Sequence, residues 1–143
     1  MRIRKNWMTL VAWILGICAL GLVAMFVVLN LMIGSAVDNR SREAMGRFGG
    51  DRVEALIAQV DCQTCSLHER TQAVWALGQL ADKRALPILR KYYTGQPCDH
   101  RRLICQYEIT KAIRWTEGKS FMLPSIWRRM LSNDRKAPKV TQP

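Results

Sequence analysis

The sequence predicts an all-α chain, with a single transmembrane helix followed by a short row of about three helical hairpins. Three observations carry that expectation. The run from Trp7 to Ile33 holds no charged side chain. The chain beyond it repeats itself, and the repeats place apolar side chains at i, i+3, i+4 and i+7. No segment alternates apolar and polar residues with period two for long enough to form a strand.

Size and charge narrow the function classes. A chain of 143 residues holds one ordinary domain at most, which excludes a two-domain enzyme. The formal net charge is +11, and all 11 acids lie beyond residue 37. Residues 34–117 are nearly balanced, with 13 bases and 10 acids, whereas 118–143 carry six bases and one acid. Only this C-terminal end asks for an anionic partner, and for a tethered domain a lipid headgroup or an acidic protein surface suits it best. Lysine clusters interleaved with stacking aromatics are sparse, so no nucleic-acid partner is expected.

The first element is WMTLVAWILGICALGLVAMFVVLNLMI, residues 7–33. As a helix it reaches roughly 40 Å, more than the ~30 Å hydrocarbon core of a bilayer. A cleaved signal peptide competes, because Arg2, Arg4 and Lys5 make a basic leader and Gly34-Ser35-Ala36 offers a small-residue cleavage site. The apolar run is about twice the usual signal core, which favours an uncleaved anchor. Trp7 suits the interface. The compact, acid-free tail of residues 1–6 puts the N-terminus in the cytoplasm and the remainder on the extracytoplasmic (periplasmic) side, although Arg40, Arg42 and Arg47 nearly balance the count. Ala12 and Gly16 form a small-xxx-small pair, and Cys18 reads as a small apolar residue in mid-span.

After a linker at 34–40, the repeat begins. Ala44-Met45-Gly46-Arg47-Phe48 falls on Ala76-Leu77-Gly78-Gln79-Leu80, and Arg52-Val53 falls on Arg84-Ala85. The same shift carries His68, Arg70 and Ala73 onto His100, Arg102 and Cys105. In the central unit Ser66-Leu67-His68-Glu69 is a capping-box sequence. It opens a helix with Ala73, Ala76, Leu77 and Leu80 along one face. Asp82 caps the following helix, which buries Ala85, Ile88, Leu89 and Tyr92 and tolerates Pro87 in its first turn. Thr94-Gly95-Gln96-Pro97 ends it. Asp99 opens the next helix, which turns its Cys105, Ile109, Ala112 and Ile113 to the core, and a last helix runs from about Phe121 to Leu131. Residues 132–143 compose a basic, flexible tail.

The stretch from Arg70 to Leu89, RTQAVWALGQLADKRALPIL, resembles a HEAT-like repeat of the phycobilisome-lyase type. Its R..A..AL..L helix, D-x-R-A turn and L-P-x-L second helix carry the likeness, which is fair at 42–58 and weaker at 101–130. The resemblance implies a short α-solenoid of about three HEAT-like hairpins over 41–131 that binds other proteins and performs no chemistry itself. A minority of such proteins act as lyases on tetrapyrrole-bearing proteins, but no catalytic motif of that minority is present.

Four cysteines lie beyond the span: Cys62, Cys65, Cys98 and Cys105. Disulfides between neighbouring repeat loops are expected, as Cys62 with Cys98 and Cys65 with Cys105, although spacing alone allows three connectivities. Free thiols are a second reading, with Cys105 buried in place of Ala73. A zinc site from Cys62, Cys65, Cys98, Cys105, His68 and His100 is a third. A redox CxxC lacks its usual βαβ setting, and Ser66 stands where haem attachment needs His. Glu108 falls on a core position where Lys111 can pair with it, and no second carboxylate stands at a spacing suited to acid–base chemistry.

The expected function is that of a non-enzymatic scaffold or accessory subunit. It would sit in the bilayer and dock onto integral or peripheral proteins of a membrane complex, with no cofactor and no small-molecule substrate. The expected contacts are Trp75, Tyr93, Trp115, Trp127, Arg128 and Arg129.

Overall fold

A computed structural model describes residues 2–99 and 101–119. The expected helix at 121–131 and the tail at 132–143 lie outside them, as do His100, Trp127, Arg128 and Arg129. Among the described residues the chain is helical, without strands: α1 (Arg2–Phe48), α2 (Arg52–Asp61), α3 (Leu67–Leu80), a 3-10 turn (Lys83–Ala85), α4 (Leu86–Tyr92) and α5 (Gln106–Thr116). Two compact units divide between Ile33 and Gly34.

In the first unit the described side chains are almost all exposed, including Trp13, Leu20, Val23 and Leu31. The Asn30 amide donates to the Phe26 carbonyl one turn back at 2.9 Å, so the one polar side chain near the end of the run is satisfied within the helix. The Leu10–Phe48 stretch includes a segment long and apolar enough to cross a membrane. Its position near the N-terminus fits a membrane span or a signal sequence.

The second unit begins with the end of α1. Residues 34–40 are helical rather than a separate linker. They contain no proline, Arg42 pairs with Asp38 at 2.9 Å, and the Ser41 hydroxyl bonds the Val37 carbonyl at 2.7 Å. The helix stops at Gly49 and Gly50, whose positive φ values of 71° and 78° suit residues without a Cβ. Asp51 then caps α2 reciprocally with Glu54.

The capping box that opens α3 forms as its sequence predicts. The Glu69 amide donates to the Ser66 hydroxyl and the Ser66 amide to the Glu69 carboxylate. Helix α3 ends at Ala81 in the left-handed region, with its amide bonded to Leu77. The Asp82 carboxylate caps the 3-10 turn, and Pro87 sits in the first turn of α4. Helix α3 packs against both α2 and α5, and α4 packs against α5. Leu56, Val60, Val74, Leu77, Leu89 and Ile109 are fully buried at the centre of these contacts. Each contributes roughly 1.5–3 kcal/mol relative to an exposed position. Gly78 sets the α3–α5 approach, because a Cβ there would stand 2.9 Å from the Ala112 backbone.

Helix α5 starts later than its expected opening at Asp99. Asp99 instead closes a single turn, with its carbonyl accepting from Arg102 and Leu103 and its carboxylate from Arg101. The physical reason lies in buried Gln106. Its side chain donates to the Tyr92 and Ile104 carbonyls and accepts from the Thr94 amide, so one residue satisfies both ends of the loop just where α5 begins.

Candidate functional site

The loop between α2 and α3 is short, because Cys62 caps the end of one helix and Ser66 the start of the next. That path holds the Cys62 and Cys65 Cα atoms 5.4 Å apart, and these two residues form a disulfide. The expected bridges of Cys62 with Cys98 and of Cys65 with Cys105 are therefore corrected: Cys98 and Cys105 are free thiols. The two loops differ in length, and the longer one between α4 and α5 brings Cys98 against Cys105 and the Tyr107 amide at the start of α5.

There the Cys98 and Cys105 sulfurs lie 3.3 Å apart. Cys98 is exposed and Cys105 is buried at the N-cap of α5. The Tyr107 amide donates to the Cys98 sulfur at 3.2 Å, and the Cys105 amide to the Thr71 hydroxyl at 3.4 Å. The Tyr107 amide, with help from the Cys105 thiol, holds the Cys98 thiol below its ordinary range. Burial pushes the Cys105 thiol up. Beside Cys98 is a cleft of about 250 Å³ between Tyr93, Pro97, Gln106 and Tyr107.

Of the six expected zinc donors His100 lies outside the described residues, and the other five are not brought together. Cys62 and Cys65 are consumed by their disulfide, and the His68 ring nitrogen is hydrogen-bonded to Gln72 at 2.7 Å. Among the described residues no group of three or more His, Cys, Asp or Glu side chains is arranged to hold a metal.

Two arginines outside the expected contact set tie successive hairpins together. Arg70, buried in the first turn of α3, donates to the Val60 carbonyl at 2.8 Å and lies 4.9 Å from the centre of the Tyr92 ring. The Tyr92 hydroxyl donates to Asp61 at 2.6 Å and Lys91 reaches the same carboxylate at 2.5 Å, which holds Asp61 below the usual carboxylate range. This knot joins the ends of α2 and α4 to the start of α3. Arg84 does the same for the opposite turns, reaching Asp82 beside it and Asp51 at 2.6 Å. Burial raises the Asp51 carboxyl, but the Glu54 amide, Arg84 and the Val53 amide outweigh it and the net shift is downward. Arg52, the repeat equivalent of Arg84, pairs with Asp38 of α1 in the same sense. The arginine that recurs at the equivalent positions 52 and 84 was the sequence signal for those two links.

The expected contact aromatics divide by exposure. Tyr93 is exposed, whereas Trp75 and Trp115 are half-buried, with Lys111 lying 5.1 Å from the Trp115 ring. Tyr107, absent from the expected set, is more exposed than Tyr93. Lys111 pairs with Glu108 at 2.8 Å, as their spacing predicts.

Comparison with curated proteins finds no match, and comparison with solved structures finds none. A family model described as the PBS lyase HEAT-like repeat matches residues 69–94, which span nearly all of α3 and the whole of α4. The central hairpin, with its reciprocal cap, its D-x-R-A turn and its proline-opened second helix, is thus the part of the chain that is similar to a HEAT-like repeat.

Proposed function

We propose that this protein is a membrane-anchored scaffold, an accessory or assembly subunit of a membrane protein complex, whose HEAT-like hairpins stack as a short solenoid that docks onto a partner. The HEAT-like repeat at 69–94 carries this reading, since repeats of this kind present extended helical surfaces to other proteins. The arginine ties between successive hairpins support stacking. The exposed apolar stretch up to Ile33 supports anchoring. In this reading the N-terminus is cytoplasmic and the repeats are extracytoplasmic, where a disulfide such as Cys62–Cys65 persists.

The docking residues of the proposal are Trp75, Tyr93, Trp115, Trp127, Arg128 and Arg129. Purifying the full chain from its native membrane in mild detergent tests it. A stoichiometric protein partner should co-purify, and it should be lost from a variant carrying Tyr93→Ala, Trp127→Ala, Arg128→Glu and Arg129→Glu. No partner, or one retained by that variant, would sink the docking claim. The rival reading, a zinc or tetrapyrrole protein built on the cysteines, predicts bound zinc or a visible absorption band in the same preparation.

A further inference from the structure

The Cys98–Cys105 pair stands apart from the scaffold reading and does not depend on it. Its two sulfurs are 3.3 Å apart, close enough for a bond to form after a small side-chain rotation. They are also unequal. Cys98 is exposed on the loop before α5, beside the cleft bordered by Tyr93, Pro97 and Tyr107. Cys105 is buried behind it, 7% exposed, at the helix N-cap. The Tyr107 amide points at the Cys98 sulfur and stabilises negative charge there. An exposed, amide-stabilised thiol backed by a buried second thiol is the arrangement that thiol–disulfide exchange requires, with one sulfur to attack and one to resolve.

We infer that Cys98 and Cys105 form a thiol–disulfide exchange site, with Cys98 as the attacking sulfur, Cys105 as the resolving sulfur and a partner disulfide as substrate. In the first step the Cys98 thiolate attacks one sulfur of the partner disulfide. A Cys98–partner bond forms, the partner's own S–S bond breaks, and the departing thiolate takes up a proton. In the second step Cys105 gives up its proton and attacks the Cys98 sulfur. The Cys98–Cys105 bond forms, and the second partner sulfur leaves and is protonated. Two electrons and two protons pass from the pair to the partner disulfide, which is oxidant and substrate together. The Cys62–Cys65 bond takes no part. The cleft next to the attacked sulfur has room for about one side chain, so it would seat a residue flanking the partner disulfide.

Glutathione disulfide is the probe, added to the detergent-purified full chain, with acid quenching, alkylation and peptide mass mapping. Wild-type protein should lose two alkylatable thiols, yield a Cys98–Cys105 cross-linked peptide and release two glutathione thiols per chain. Cys105→Ser should stall with one glutathione on Cys98, whereas Cys98→Ser should take up glutathione at Cys105 roughly tenfold more slowly. If either variant fails to fold, limited alkylation of wild-type protein still decides the order, because Cys98 should be labelled before Cys105. Both thiols remaining free at high glutathione disulfide, or first modification at Cys105, would overturn the assignment.

Discussion

The residues before and after Ile33 use the same apolar side chains in opposite ways. Leu20 is 72% exposed, and Leu77 is not exposed at all. In the second unit the apolar positions recur every three or four residues and face other helices, with charged positions between them. In the first unit they surround the helix, and the chain supplies nothing to cover them among its described residues. Packing against other helices stabilises the second unit, and the apolar helix of the first unit has the length and composition of a membrane span or a signal sequence. Substitutions of one kind should therefore have different effects in the two units.

The largest effect is expected from charge in the first unit. Leu20→Arg with Val23→Arg should release the protein from membranes in alkaline extraction, since each arginine near a span's centre costs ~2.5–3.5 kcal/mol of insertion. The thermal unfolding of the helical repeats should not move. If the double variant stays membrane-bound, the first unit is not the anchor. Next is truncation of a buried leucine. Leu77→Ala should cost the second unit about 2–5 kcal/mol in urea unfolding, and Leu20→Ala should cost it nothing measurable.

Glycines sharpen the contrast. A Cβ at Gly78 meets the Ala112 backbone at 2.9 Å, whereas one at Gly16 meets nothing within 4 Å. Gly78→Ala should destabilise the second unit by roughly 1–3 kcal/mol by forcing α3 and α5 apart, and Gly16→Ala should be silent in the same assay. The smallest effect is electrostatic. The Ser66 amide and hydroxyl, with Arg47, hold the Glu69 carboxyl at about 2 against an ordinary value of 4.5. A folded-state value below the unfolded one stabilises at high pH, so the contribution is complete above about 4.5 and is lost as pH falls toward 2. The urea midpoint of Glu69→Gln should fall less steeply across that window than that of wild type. Residues 1–37 contain no acid, so this acid sensitivity belongs to the second unit.

Much of the second unit was legible because its determinants are local. Ser66 with Glu69, Asp82 before its turn, and Pro87 one residue into a helix each act within four residues of themselves. The buried faces of α3 and α5 follow from spacing in the same way. The start of α5 was not legible. The repeat register placed it at Asp99, but the hydrogen bonds of Gln106 to Tyr92, Thr94 and Ile104 span up to 14 residues and override the local signal.

The amino-acid sequence alone determined the all-helical class, the membrane-length apolar run, the repeat and its caps, because periodicity and capping depend on neighbours along the chain. The tertiary structure decided which sulfurs meet. Four cysteines permit three pairings, and only the path of each loop, closed between two caps at Cys62–Ser66 and folded back onto α5 at Cys98, brings Cys62 to Cys65 and Cys98 to Cys105. It likewise decided that buried Arg70 and exposed Arg84 join hairpins, because each has an acceptor in another element.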